Sequence, residues 1–314
     1  MKIKLSIVVP VFRSQDILTK LVAEVKRVTD AQGLSSQFEL ILINDASPDG
    51  SWQVIADLAI HNDFIRGVSL RKNFGQHSAI MAGLKYAKGS IVVIMDDDLQ
   101  HPPEEIANLI RTIDEGADVC YTRYKGRQHA LWKILGSRFN NWVASLLLDK
   151  PHDLYLSSFK AMRHEVVQEV IKYDGPYAYL DGLILDVTRS IKVIDIEHQP
   201  RYAGTGSYSF RRSVSLWLRM ATSFSIFPLR IAIVMGFSLA MLSLVVVGVI
   251  MVQKLHHPEW PAGWASLIAT VLFVGGIQTL CVGVLGEYLG RVYLRMNGKP
   301  QFVVGKTTWS DKDL

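Results

Sequence analysis

Ser90-Ile91-Val92-Val93-Ile94-Met95-Asp96-Asp97-Asp98-Leu99-Gln100-His101-Pro102-Pro103-Glu104-Glu105 is the stretch from which the rest of the chain can be read. Its first six residues form an apolar run of the kind a parallel strand shows when both faces are covered. Its last four read as a helix start, with proline tolerated in the first turn and carboxylates facing the positive end of the helix dipole. Between them stand three consecutive carboxylates, Asp96, Asp97 and Asp98, at the carboxyl end of a strand. That end is where open α/β sheets bind ligands. Like charges so close repel one another, and a cation among them removes the repulsion. A hard divalent ion such as Mg2+ or Mn2+ prefers oxygen ligands and often keeps only one or two carboxylates, with substrate phosphates completing its shell. A solvated acidic turn is the other reading of the triplet taken alone.

The residues upstream repeat the same arrangement. Leu5 to Phe12 is a continuous apolar run, and Ile17, Leu18, Leu21, Val22, Val25 and Val28 follow at helical spacings of three and four. Phe38 to Asn44 is a second strand, followed by the turn-forming Asp45-Ala46-Ser47-Pro48-Asp49-Gly50-Ser51. A helix from Trp52 to Ala59, a strand from Ile65 to Leu70 and an Ala- and Gly-rich helix running to Lys88 lead back to the acidic stretch. Strands alternating with helices predict a doubly wound, mostly parallel sheet with helices on both faces. Polar residues then end four successive strands, at Pro10–Arg13, Asp45–Ser51, Arg71–Gly75 and Asp96–Gln100, and should converge on one crevice. There Asp45 can accept a hydrogen bond from a base or ribose, Arg71 can meet a phosphate, and Gly75 lets backbone approach a ligand.

Val8-Val9-Pro10-Val11-Phe12, Asn44 to Gly50, Arg71-Lys72-Asn73-Phe74-Gly75 and Met95 to Pro102 together resemble family 2 glycosyltransferases of the GT-A fold. The likeness is nearest to the polyprenyl-phosphate glycosyltransferases, and Asp-Leu-Gln-His-Pro is specific to that branch. Gly286-Glu287-Tyr288-Leu289-Gly290-Arg291-Val292-Tyr293 resembles the end of the two-helix bacterial members. By that resemblance Pro10, Phe12, Asp45, Arg71 and Asp97 line the donor pocket, and Asp96, Asp98 and Gln100 hold the metal and diphosphate. Asp98 thereby counts as catalytic. Arg123 and Arg127, in a basic loop after the strand at Asp118–Thr122, match arginines that contact the acceptor phosphate. Asp153 stands near the position of the family's proposed base, although the spacing to Phe159 is longer and a glycine is missing; Asp149 and a structural role compete with it. Arg201 and Ser207 lie in a loop similar to one that folds over the diphosphate, without its usual lysine.

The chain has 314 residues, 49% of them hydrophobic, a formal net charge of +5 and a mean hydropathy of +0.19. The apolar excess lies after Pro228. Ile231–Val252 and Trp264–Leu285 carry no charge, and each exceeds the ~20 residues that span a bilayer core, which favours membrane helices over buried ones. Arg211 to Phe227 mixes apolar residues with Arg211, Arg212 and Arg219, as an interfacial amphipathic helix does. The expected organisation is a GT-A domain over 1–210, the amphipathic helix over 211–230, two spans with a short external loop over 231–286, and a tail over 287–314. Leu5 to Phe12 is too short for a signal peptide, and Cys120 and Cys281 are too few for a disulfide framework. Arginines before the first span and after the second predict both termini and the catalytic domain in the cytoplasm, on a bacterial inner membrane. The modest positive charge suits an anionic membrane surface, and no nucleic-acid partner is expected.

The expected reaction is metal-dependent, inverting transfer of a sugar from a nucleotide sugar to a polyprenyl phosphate, with Mg2+ or Mn2+. Gly275, Gly276 and Gly283 would allow close helix contact in a homo-oligomer. A processive polysaccharide synthase is disfavoured because no Gln-x-x-Arg-Trp sequence occurs. An inactive membrane scaffold of the same fold is the remaining alternative.

Overall fold

The computed structural model describes residues 3–124, 154–197, 227–256 and 263–309. The chain divides into two units, Met1–Tyr208 with Gly298–Leu314, and Ser209–Asn297. The first unit is built on an eight-stranded sheet in the order β7-β5-β6-β4-β1-β2-β3-β8. Its strands are β1 Leu5–Val11, β2 Phe38–Asn44, β3 Ile65–Leu70, β4 Ile91–Ile94, β5 Val119–Tyr124, β6 Lys160–Arg163, β7 Ile191–Ile196 and β8 Val304–Thr307. Pairing is parallel except where β6 meets β4 and β5 and where β8 meets β3, so the mostly parallel expectation holds.

Every residue of β1 and β2 is buried, which is why both read as unbroken apolar runs. Alternate side chains of β1, Leu5, Ile7, Val9 and Val11, join the core formed with α1 (Leu18–Ala31), α2 (Ser51–His61) and α4 (Ile106–Asp114). On the opposite face Val8 lies under α3 (Gln76–Leu84), a helix with seven of its nine residues buried. Helices α5 (His164–Val170) and α6 (Leu180–Val187) complete the described α-helices of this unit, and Pro103–Glu105 forms a 3-10 turn ahead of α4. Pro10 is tolerated in a central strand because β4 ends beside it. The last ladder bond on that side runs from the Met95 N–H to the Val8 carbonyl at 3.2 Å, so no neighbouring strand needs the N–H that proline lacks.

The second unit contains two long helices, α7 (Phe227–His256) and α8 (Trp264–Met296), with Cys281 Sγ 3.9 Å from the Ala232 carbonyl oxygen. Exposed apolar side chains run along both, among them Phe237, Val249, Phe273 and Val282. Among the described residues one stretch, Phe273–Met296, is long and apolar enough to cross a membrane. Of the amphipathic helix expected over 211–230, residues 211–226 lie outside the described residues and 227–230 belong to α7.

The tail expected over 287–314 contains the end of one helix and a strand. Helix α8 continues to Met296, and the chain then returns to the sheet as β8, antiparallel to β3. The short Val-Gly-Lys-Thr strand has no apolar alternation of its own; the free edge of β3 supplies its ladder.

Candidate active site

Strands β4, β1, β2 and β3 are adjacent and parallel, so the segments leaving their carboxyl ends share one edge of the sheet. All four segments that the sequence singles out are found there. The three non-glycine residues with positive φ among the described residues lie in three of them: Arg13 (φ 60°), Ala46 (φ 50°) and Leu99 (φ 56°). The fourth contains Gly75, whose φ of 90° suits glycine and would strain any side chain. Backbone held in such conformations concentrates at ligand sites, because surrounding contacts must impose it.

Those contacts tie the loops to one another. Asp45, buried at the end of β2, accepts the Phe74 N–H on Oδ1 at 2.7 Å and the Gly75 N–H on Oδ2 at 2.8 Å. Burial raises its carboxyl pKa, and the two backbone hydrogen bonds oppose that rise. An ionised carboxylate offers about four acceptor positions, so Asp45 can clamp this loop and still accept from a ligand. Asp49 gathers the hydroxyls of Ser47 and Ser51, both at 2.6 Å, and the N–H groups of Ser51 and Gln15. Burial pushes its pKa upward, but these four donors prevail and hold it at about 2. Ser47 Oγ in turn accepts the Arg13 N–H at 2.7 Å, which fixes the chain just after Phe12.

The three aspartates point to different partners. Asp97 faces the β1 loop, where Oδ2 accepts from Ser14 Oγ and from the Phe12 N–H. Burial, with smaller contributions from the like charges of Asp96 and Asp98, pushes its pKa up to about 6 against those hydrogen bonds. Asp96 accepts from Gln76 Nε2 at 2.7 Å and from Ser158 Oγ at 2.6 Å. Its own N–H donates to His101 Nδ1 at 3.1 Å, which leaves the imidazole proton on Nε2, facing Ser158 Oγ at 3.4 Å and Asp96 Oδ2 at 3.7 Å. His101 is buried and stacked on Phe159, with ring centroids 5.0 Å apart. Asp98 Oδ1 accepts the Gln100 N–H at 3.1 Å.

Ser14, Gln76, His101 and Ser158 were not among the residues expected to form the site. Gln76 is the first residue of α3, directly after the Gly75 turn, and His101 belongs to the quoted motif, so both carried some signal. Ser158 carried none. The antiparallel register of β4 and β6 pairs Ile94 with Lys160, and extending it by two residues puts Ser158 opposite Asp96.

Of the other expected residues, Pro10 is buried in β1, and Phe12 is exposed at the loop. Arg71 is exposed immediately after β3, and among the described residues no carboxylate pairs with it. Arg123 is exposed near the end of β5. It lies beside Asp195 in the β5–β7 register, and its Nε and a terminal nitrogen donate to that carboxylate at 2.7 and 3.2 Å. This fork engages a guanidinium that was expected to meet an acceptor phosphate. Arg127, Asp153, Arg201 and Ser207 lie outside the described residues.

Below the site, Lys160 and Asp181 form a buried ion pair, and the Tyr121 hydroxyl donates to Asp181 at 2.9 Å. Burial, and next the Asp181 charge, raise the Tyr121 pKa well above its ordinary value, so this hydroxyl stays a donor. Among the described residues, no three His, Cys, Asp or Glu side chains are grouped as a ready cage for a metal ion.

The profile of glycosyl transferase family 2 matches residues 6–171, and that of the GtrB C-terminal hairpin matches residues 227–292. An undecaprenyl-phosphate 4-deoxy-4-formamido-L-arabinose transferase of Yersinia pestis is 32% identical over 313 residues, covering 98% of this chain and 95% of its own length. The protein of the same name from Proteus mirabilis is 30% identical, covering 96% of this chain and 93% of its own. Among solved structures, glucosyl-3-phosphoglycerate synthase from Mycobacterium tuberculosis, in complex with Mn2+, uridine diphosphate and phosphoglyceric acid, superposes with a TM-score of 0.52. It is 18% identical, and the match covers 70% of this chain and 76% of that one, a likeness of fold.

Proposed function

Because the chain belongs to glycosyl transferase family 2, we propose that it moves a sugar from a nucleotide sugar to undecaprenyl phosphate, with inversion at the anomeric carbon. The observation that carries this reading is the convergence of four strand-end loops, cross-tied by Asp45 and by the Asp96–Gln76–Ser158 bonds, in a chain alike along nearly its whole length to transferases named for that acceptor.

The donor's nucleoside would lie over Pro10, Phe12 and Asp45, and its diphosphate between Arg71 and the acidic loop. The residues present fit a hard divalent cation. Asp96 and Asp98 raise the neighbouring Asp97 pKa by like charge, and their carboxylates with the Gln100 amide make an all-oxygen donor set. Two carboxylates without a complete protein cage suit an ion whose remaining ligands are phosphate oxygens. Asp96, Asp98 and Gln100 would therefore hold Mg2+ or Mn2+, which when bound neutralises charge on the leaving nucleoside diphosphate.

An acceptor phosphate oxygen forms the new bond to the anomeric carbon, and the bond from that carbon to the donor's diphosphate breaks, its electron pair leaving with the nucleoside diphosphate. A phosphate monoester has a second pKa near 6, so much of the acceptor is already dianionic at neutral pH and needs no strong base. Positioning then supplies most of what the protein contributes. Asp153 is assigned to orienting the acceptor and stabilising positive charge on the sugar, and Arg127, Arg201 and Ser207 to the phosphates.

Helices α7 and α8 are proposed to form a two-span hairpin in a bacterial inner membrane, with the catalytic unit and both termini on the cytoplasmic side. The hairpin profile over 227–292, the exposed apolar side chains and the flanking arginines support it. Gly275, Gly276 and Gly283 face open space in the single chain, which supports a homo-oligomer packed through these helices.

The test uses purified full-length protein, undecaprenyl phosphate, Mg2+ or Mn2+ and a panel of radiolabelled nucleotide sugars that includes a 4-deoxy-4-formamido-L-arabinose donor. Label should enter the organic phase with one donor and should be lost with EDTA or Asp98→Ala. Absence of both transfer and nucleotide binding would overturn the reading in favour of an inactive scaffold.

A further inference from the structure

The segment that follows α8 pairs with β3, the strand that leads into Arg71. The Thr308 N–H donates to the Gly67 carbonyl at 3.0 Å, and Thr308 Oγ1 accepts the Gly67 N–H at 2.9 Å. A Cβ on Gly67 would stand 2.6 Å from Thr308 Cγ2, so the two strands touch without room for a side chain. The Trp309 ring carries the Arg66 guanidinium 4.9 Å from its centroid and meets Tyr86 edge-on. Gln301, itself buried, donates to the Gly175 carbonyl at 3.2 Å, and Lys85 Nζ lies 4.9 Å over the Phe302 ring.

The contact with Arg71 is more specific than this anchoring. Val68 pairs with Thr307 and Ser69 with Lys306, but the register then shifts so that Leu70 pairs with Val304. Gly305 is the residue left over, as in a β-bulge. Its missing side chain leaves space for Arg71: a Cβ there would lie 3.2 Å from Arg71 Cγ. Two residues earlier, the Val303 carbonyl accepts the Arg71 N–H at 2.9 Å. The backbone N–H of Arg71 is thus bonded to the C-terminal strand and its stem lies beside Gly305, at the edge of the sheet where the strand-end loops converge.

We infer that β8 and its bulge are a positioning element of the donor site: Val303 and Gly305 set the direction in which Arg71 presents its guanidinium to the donor diphosphate. This rests on the reading of the crevice as a nucleotide-sugar site. Bidentate recognition of a phosphate depends on the direction of the guanidinium plane, and small displacements of a positioned group reduce rates steeply. Residues that touch no substrate then govern donor affinity. The chain continues into this strand directly from α8, so the donor loop is built partly from sequence that follows the hairpin.

The test compares Gly305→Val, Arg71→Ala and the double variant as full-length protein, with Gly305→Ala as a milder substitution should valine prevent folding. Donor KM, acceptor KM, kcat and thermal unfolding are measured, and binding of UDP, GDP and CDP with Mn2+ is titrated independently of transfer. Gly305→Val should raise donor KM about tenfold, leaving acceptor KM and kcat within about twofold. In the Arg71→Ala background it should add nothing, because its effect passes through Arg71. Multiplied losses in the double variant, or a lowered unfolding temperature with unchanged donor KM, would overturn the inference. Wild-type protein that neither binds a nucleotide nor transfers from any donor would instead overturn the functional reading beneath it.

Discussion

Asp45 holds Gly75 across the edge of the sheet: its Oδ2 accepts the Gly75 N–H at 2.8 Å while Oδ1 takes the Phe74 N–H at 2.7 Å. One buried side chain from the end of β2 thereby shapes the loop after β3 and the turn that opens α3. The same carboxylate is the one proposed to meet the donor's nucleoside.

Asp45→Asn replaces an acceptor oxygen with an amide donor aimed at a backbone N–H. Leaving that half-buried N–H unsatisfied costs up to about 1–3 kcal/mol. A lower unfolding temperature together with weaker nucleotide binding is expected, measured by thermal unfolding and calorimetric titration. Loss of binding with unchanged stability would mean that Asp45 meets the ligand without clamping the loop.

Ser158 donates to Asp96 and lies against the His101 Nε2–H, so it supports a proposed metal ligand from outside. Removing such a support weakens metal affinity about 10- to 100-fold. Ser158→Ala should raise the Mn2+ concentration needed for half-maximal nucleotide binding by that order, and Ser158→Thr, which keeps the hydroxyl, should restore it. An unchanged Mn2+ titration would remove Ser158 from the site.

Asp49 titrates at about 2 in the fold, below the ~3.9 of an unfolded aspartate. Its folded pKa is depressed, so its contribution to stability is fully present above ~3.9 and is lost as pH falls toward 2. Asp49→Asn should therefore unfold at a lower temperature than wild type at pH 7, with the gap closing as pH drops below 4. A gap independent of pH would assign the effect to shape rather than charge.

Lys160 and Asp181 are 2% and 7% exposed, so neither charge has water to fall back on. Lys160→Met leaves the Asp181 carboxylate buried with only neutral donors such as the Tyr121 hydroxyl, and should cost about 3–5 kcal/mol. Adding Asp181→Asn removes the orphaned charge and keeps an acceptor for Tyr121. The double variant should be more stable than Lys160→Met alone in denaturant unfolding, and equal or lower stability would show that the pair is not a closed unit.

The parallel core was legible because burial on both faces writes itself as apolar runs, at Leu5–Val11, Phe38–Asn44 and Ile91–Ile94, and because α1 buries residues at helical spacing. The four strand-end loops were legible for the same reason: a parallel strand's carboxyl end is known once the strand is. What the amino-acid sequence determined by itself, then, was which residues would gather at one edge. Tertiary structure alone decided how they are held. Ser158 reaches Asp96 through antiparallel β4–β6 pairing, Arg123 is taken by Asp195 through the β5–β7 register, and Arg71 is braced by a Val-Gly-Lys-Thr strand from the far end of the chain. Such pairings depend on register between strands distant in sequence. A four-residue strand with no alternation carries no local signal of the partner that gives it its hydrogen bonds.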